Sequence, residues 1–222
     1  MPVAPEPIVC YVTDRKALAS SRSAPGVHEK IRAAVAAGAD WVQIREKDLS
    51  GRELFDLARA AVLAAKGHRA LIFVNDRLDV AIAARAAGVH LGSESSHPRD
   101  VIRWCRGGNA PPGFRIGVAC HSVEDVQNAE RAGATYAFFG PIFDTPSKRE
   151  FGAPQGMAKL VEACSAVQIP VIAIGGIGAE NGRECIRAGA SGIAAIRMFQ
   201  EGSDAVALQK TVAWLHAPSD DL

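Results

Sequence analysis

The sequence predicts an α/β protein, a (β/α)8 TIM barrel in a single domain. Three observations carry that expectation. First, a small-residue phrase followed by an apolar run recurs at "AGADWVQI" (37–44), "AGVHLG" (87–92), "AGATYAFFG" (132–140) and "AGASGIAAI" (188–196). Glycine fits the position just past a helix end, where positive φ costs it little. The apolar run after it suits a strand buried on both faces. Second, "IVCYVT", "ALIFVN", "FRIGVA" and "IPVIAIGG" bring the strands to eight. Third, amphipathic stretches separate the strands, near 26–37, 51–66, 78–87, 98–106, 122–132, 156–165, 179–188 and 203–216. Alternating strand and helix implies parallel pairing with right-handed crossovers. Eight such units in 222 residues fit a compact barrel. An open doubly wound sheet would need a glycine fingerprint after the first strand, and "YVTDRKAL" has none. The barrel core is expected over about residues 8–216, with 217–222 as a frayed tail.

In such a barrel, chemistry gathers where strands end and the following loops begin. Strand one ends at Thr13-Asp14-Arg15 and strand two at Gln43-Ile44-Arg45-Glu46-Lys47. Side chains alternate along a strand, so Gln43, Arg45 and Lys47 share one face and point into the barrel mouth. Strand three ends at Asn75-Asp76-Arg77, strand four at Gly92-Ser93-Glu94-Ser95 and strand five at Cys120-His121-Ser122. Strand six leads to Thr145 and Lys148, strand seven ends at Gly175-Gly176 and strand eight at Arg197.

These residue types point to an anion. Arg45, Lys47 and Lys148 can converge on a phosphate or diphosphate, Arg as a bidentate fork and Lys as a point charge. Gly175-Gly176 lets backbone N–H groups approach a phosphate, and Arg197 adds a cation there. Asp76 can hold a metal or orient a cation, and His121 sits where a general acid or base would. A structural alternative pairs Arg45 and Lys47 with Glu46, Asp48 or Asp76. His90 lies inside strand four, facing either the barrel or a helix. The long loop around 144–156 reads as a lid.

Composition narrows the partners. Net charge is +1, so no global field draws nucleic acid or an anionic membrane. Five cysteines without CxxC spacing disfavour a disulfide framework or structural zinc. "MPVAPEPIVCYV" lacks the pattern of a signal peptide, and no apolar run nears the ~18 residues of a membrane span. The expectation is a cytoplasmic protein with a small-molecule partner; homo-oligomerisation is left open.

Taken in order, "YVTDR", "VQIREKD", "FVNDRLDVA", "AGVHLG", "IGVACHS", "FFGPIFDTPSK", "IPVIAIGGI" and "AGASGIAAI" resemble the thiamine phosphate synthase and thiazole tautomerase superfamily, from about residue 8 to 200. In the synthase, hydroxymethylpyrimidine diphosphate is coupled to thiazole phosphate with Mg²⁺. That resemblance implies Gln43 against the pyrimidine and Arg45, Lys47, Asn75 and Lys148 around the diphosphate. It further implies Asp76 on Mg²⁺, with Thr145 and Gly176 at the thiazole phosphate. Three positions depart from the synthase pattern: Ser95 stands for a second metal carboxylate, Ala119 for a serine before His121, and Arg197 for a serine after strand eight. The tautomerase branch lacks the strict carboxylate pair, uses a histidine at the place of His121 and needs no cofactor. On the Ser95 departure the tautomerase is favoured, with weak Mg²⁺ binding and little condensation. The synthase is the alternative, and a non-catalytic regulatory relative binding a phosphorylated ligand is a further one.

Overall fold

The computed structural model describes residues 6–18, 26–92, 94–145, 153–201 and 204–217. Lys148, residues 146–152 of the expected lid and residues 218–222 of the expected tail lie outside the described residues.

Eight strands form a closed parallel barrel in chain order. They are β1 (Ile8–Val12), β2 (Trp41–Ile44), β3 (Leu71–Asn75), β4 (Gly88–Leu91), β5 (Arg115–Cys120), β6 (Tyr136–Phe139), β7 (Val171–Ile174) and β8 (Gly192–Ala195), with β8 closing on β1. The helices between them are α1 (Arg15–Leu18), α2 (Val27–Ala36), α3 (Gly51–Ala64), α4 (Leu78–Ala83), α5 (Pro98–Trp104), α6 (Val123–Ala132), α7 (Gly156–Ser165), α8 (Ala179–Arg187), α9 (Arg197–Gln200) and α10 (Ala205–His216). A π-type turn, Cys105–Asn109, extends α5. Amphipathic periodicity marks the longer helices; α1 and α9 are single turns, too short to show a period. Ser50 begins α3 with a reciprocal cap to Glu53, and Ser122 caps α6 by accepting from the Asp125 N–H.

The recurring glycine works as expected in three places. Gly38, Gly133 and Gly189 follow α2, α6 and α8 with φ of 96°, 93° and 101°. Gly88 departs from the pattern. The left-handed turn after α4 is made by Arg85 (φ 58°), and Gly88 is already the first residue of β4. There a Cβ would collide with the Arg115 carbonyl on β5, so this glycine serves strand contact rather than helix termination.

Two apolar layers follow from strand alternation. One side of each strand packs outward on the helices through residues such as Val9, Tyr11, Val42, Ile44 and Val74. The other side fills the barrel with Cys10, Val12, Trp41, Phe73, Tyr136, Phe138, Ile172 and Ala194. Tyr136 is the centre of this plug, with ring centroids 4.7 Å from Trp41, 5.4 Å from Phe73 and 5.6 Å from Phe138. Gly117 on β5 clears its space: any Cβ there would strike the Tyr136 ring. His90 faces the barrel interior, its ring 4.4 Å from Phe138 and its Nδ1 3.3 Å from the Tyr136 hydroxyl.

At the opposite end from the strand C-termini, Asp40 knits the barrel together. Its carboxylate accepts from the Val9 N–H (2.8 Å), pairs with His216 of α10 (2.7 Å) and pairs with Arg69 (2.7 Å). Among the described residues no helix is long and apolar enough to cross a membrane.

Candidate active site

The strand C-termini form the mouth above the aromatic plug. On β2, Trp41 belongs to the plug, and Gln43, two residues on, is buried just above it. Gln43 donates from Nε2 to Asn75 Oδ1 at 2.8 Å, and Asn75 donates from Nδ2 to Asp76 Oδ2 at 2.5 Å. Gln43 Oε1 is buried without a hydrogen-bond partner among the described residues. An acceptor left open beside a polar mouth is satisfied by a donor on a ligand or by water.

Asp76 is the next link. Its Oδ1 accepts from the Gly92 N–H (3.2 Å) and from the Ser95 hydroxyl. Its backbone is left-handed (φ 61°), a conformation that costs a non-glycine residue about 1–3 kcal/mol. The Asp76 N–H to His90 carbonyl bond (2.9 Å) and the Leu78 N–H to Asp76 carbonyl bond (3.1 Å) hold it there. Asn75, Gly92 and Ser95 together therefore aim the carboxylate.

The cations of β2 do not take the structural alternative. Arg45 is half-buried and makes no ion pair among the described residues. Lys47 pairs with Glu94 at 2.7 Å, with both side chains well exposed. Glu46 and Asp48 turn the other way: Glu46 accepts from the Arg15 N–H at 3.1 Å, and Asp48 pairs with Arg15 (2.6 Å) and Lys16 (3.4 Å). The Lys47–Glu94 pair has no signature in the sequence, because it depends on how the loop after β4 turns. That turn puts Ser95 against Asp76 and Glu94 against Lys47.

Across the mouth, His121 follows β5. Its Nδ1 lies 2.5 Å from the Gly140 carbonyl, and its N–H donates to Asp125 (2.9 Å). A carbonyl can only accept, so the proton sits on Nδ1 and Nε2 is left as the basic nitrogen.

Gly175 and Gly176 end β7 with φ of 98° and 68°. A side chain on Gly175 would collide with Pro141, and one on Gly176 with Phe143 and the Asp144 carbonyl. The segment leading to half-buried Thr145 therefore runs directly against this turn. Asn181 braces it, donating to the Gly176 carbonyl (3.0 Å) and accepting from the Gly178 N–H (2.9 Å). Arg197 opens α9, is exposed, and pairs with neither Glu180 nor Glu201 among the described residues.

The architecture is shared with known proteins. A family model described as Thiamine monophosphate synthase matches residues 9–199. The chain is 40% identical over 189 residues to a thiamine-phosphate synthase of Roseiflexus castenholzii, covering 85% of this chain and 79% of that one. It is 38% identical over 199 residues to a thiamine-phosphate synthase of Chlorobium phaeobacteroides, covering 90% and 91%. Among solved structures, a thiamine phosphate pyrophosphorylase from Pyrococcus furiosus aligns with a TM-score of 0.81 at 30% identity, covering 94% of each chain.

The chain belongs to the thiamine monophosphate synthase family. Membership makes it an enzyme of thiamine biosynthesis. These relatives carry the synthase name, so the tautomerase preference is not supported and the synthase alternative fits better. That preference rests on Ser95 as a lost carboxylate. In the fold, the Ser95 hydroxyl instead braces the Asp76 carboxylate. Hydrogen bonds join Gln43, Asn75 and Asp76 at the ends of β2 and β3, and Arg45 and Lys47 follow β2. Thr145, Gly175-Gly176 and Arg197 follow β6, β7 and β8 in turn, and His121 follows β5.

Proposed function

We propose that this chain is a thiamine-phosphate synthase, coupling hydroxymethylpyrimidine diphosphate to thiazole phosphate. The observation that carries the reading is the linked arc at β2 and β3: an open buried acceptor on Gln43, two cations not consumed by Glu46 or Asp48, and a braced Asp76. Gln43 Oε1 accepts from the pyrimidine amine. Arg45 and Lys47 bind the diphosphate, Lys47 exchanging its exposed partner Glu94 for the ligand; exposed pairs are worth only about 0–1 kcal/mol. Lys148 joins them in this reading, as implied by the family motif. Asn75 holds Gln43 and Asp76 in register. The methylene–oxygen bond breaks, with its electron pair leaving on the diphosphate. The thiazole nitrogen lone pair forms the new carbon–nitrogen bond, and no proton has to move.

The donor set fits Mg²⁺ in one particular way. Among the described residues no group of three or more His, Cys, Asp or Glu side chains could hold a metal by itself. Mg²⁺, however, is commonly held by one or two carboxylates together with substrate phosphates. Asp76 would supply the carboxylate and the diphosphate the rest. When bound, the ion neutralises charge on the departing diphosphate. The expected result is weak Mg²⁺ binding to the free protein, much tighter binding with inorganic pyrophosphate present, and a stronger metal site in Ser95→Asp. Calorimetry with and without pyrophosphate, beside an assay of thiamine phosphate formation, tests this. Turnover of the thiazole carboxylate phosphate with no Mg²⁺-dependent condensation would restore the tautomerase. Ligand binding with no turnover of either kind would point to a regulatory relative.

His121 separates the two chemistries. Condensation moves no proton, so His121→Ala should cost it less than about ten-fold. A general acid–base would cost at least ~100-fold. Steady-state kinetics of a variant shown to be folded by circular dichroism decides between them.

In this reading Arg197, which follows β8, would hold the thiazole phosphate. Arg197→Ala should weaken thiazole phosphate binding by ~1.5–3 kcal/mol, the range for hydrogen bonds to charged groups. Binding of the unphosphorylated thiazole alcohol should barely change. Equal losses for the two ligands, or none for either, would remove Arg197 from the phosphate site.

A further inference from the structure

The segment Arg45-Glu46-Lys47-Asp48 alternates cation and anion, and the structure sorts the two signs to opposite sides. Exposed Lys47 faces the loop after β4, while the Glu46 side chain is only 2% exposed and points back at the end of β1. Glu46 accepts from the Arg15 N–H through both oxygens, at 3.1 and 3.2 Å. Its Oε2 also lies 3.8 Å from the Arg15 guanidinium. Thr13 Oγ1 accepts from the Arg45 N–H at 3.0 Å. Two ties therefore bind the end of β2 to the end of β1: Glu46 holds the main chain of Arg15, and fully buried Thr13 holds the main chain of Arg45.

A carboxylate is costly to bury, and burial raises the pKa of Glu46 above its ordinary value. Stability alone gives little reason to keep it there. Its alternative position, beside Arg45 or Lys47, would cancel the charge that the mouth presents. With Glu46 held by the main-chain N–H and guanidinium of Arg15, and Asp48 held by Arg15 and Lys16, neither anion reaches the neighbouring cations.

We propose that Glu46 is a positioning residue for the diphosphate subsite: together with Thr13 it ties the end of β2 to the end of β1, fixes the main chain at Arg45 and so aims Arg45 and Lys47 into the mouth. The role rests on the synthase reading above. Glu46 does not touch the substrate. It acts on the register of two cations, and small displacements of such groups are expensive; an error of about 1 Å can cost ~100-fold.

The test is calorimetric titration of inorganic pyrophosphate with Mg²⁺, and separately of thiazole phosphate, into wild type, Glu46→Ala, Glu46→Gln and Thr13→Val. Glu46→Ala should weaken pyrophosphate binding by about ten-fold or more and leave thiazole phosphate within about two-fold. Glu46→Gln keeps an acceptor for the Arg15 N–H and should recover most of the loss. Thr13→Val removes the hydroxyl that holds the Arg45 N–H, at nearly constant volume, and should reproduce the selective defect. It serves alone if Glu46→Ala fails to fold. Wild-type pyrophosphate affinity in Thr13→Val, or parallel loss of both ligands in any variant, would overturn the positioning role. A wild-type protein that binds thiazole phosphate but no pyrophosphate would instead overturn the synthase reading, and this role with it.

Discussion

At pH 5 the folded chain should be about 2 kcal/mol less stable, through His90 alone, than at pH 7. Burial inside the barrel is the main cause, pushing the His90 pKa from 6.5 down to about 3, and the nearby Arg45 charge adds to it. The unfolded chain takes up the proton near pH 6.5, and the folded chain does so only near pH 3. The stabilisation is thus fully present above pH 6.5 and is lost as the pH falls toward 3, at roughly 1.4 kcal/mol per unit. Urea denaturation at the two pH values measures it. His90→Leu should remove most of the difference, and comparison with that variant cancels contributions from other groups, including Glu46, whose raised pKa acts with the opposite sign. An undiminished pH 7-to-5 loss in His90→Leu would locate the titration elsewhere.

Asp40→Ala should destabilise the protein by about 3–5 kcal/mol, the cost of breaking a largely buried charge network by removing one partner. The Val9 N–H on β1 and His216 on α10 lose their acceptor together, and Arg69 before β3 is left with Glu6 alone. The damage therefore reaches the first strand and the last helix at once. Asp40→Asn keeps an acceptor for Val9 and should lose less. Chemical denaturation measures both. A loss below about 1 kcal/mol for the alanine variant would mean that water replaces the carboxylate, as at exposed pairs.

The barrel is legible in the sequence because its signals are local and repeated. Alternation along β2 places Gln43, Arg45 and Lys47 on one side, and the structure sends Gln43 into the barrel as that pattern requires. The glycine after each Ala-rich helix is a weaker signal, and at Gly88 the same letters serve a different contact. What stays hidden is loop conformation. The Glu94–Lys47 pair joins residues 47 positions apart, and Ser95 reaches Asp76 across 19. No periodicity foretells such contacts, and Ser95 taken only as a missing carboxylate favours the tautomerase, which the relatives do not support. For Glu46 a signal is present: an acid between two cations on a strand end must face away from them. Its partner, the start of α1, is not foreseeable, because a single turn leaves no period to read.

The aromatic plug has a consequence for access. Trp41, Phe73, Tyr136 and Phe138 close the barrel below Gln43, so among the described residues the mouth is the doorway. In the proposed synthase, both substrates would enter and both products would leave by that one side. The vessel has a floor, so whatever reaches Gln43 comes and goes through the rim formed by the strand C-termini.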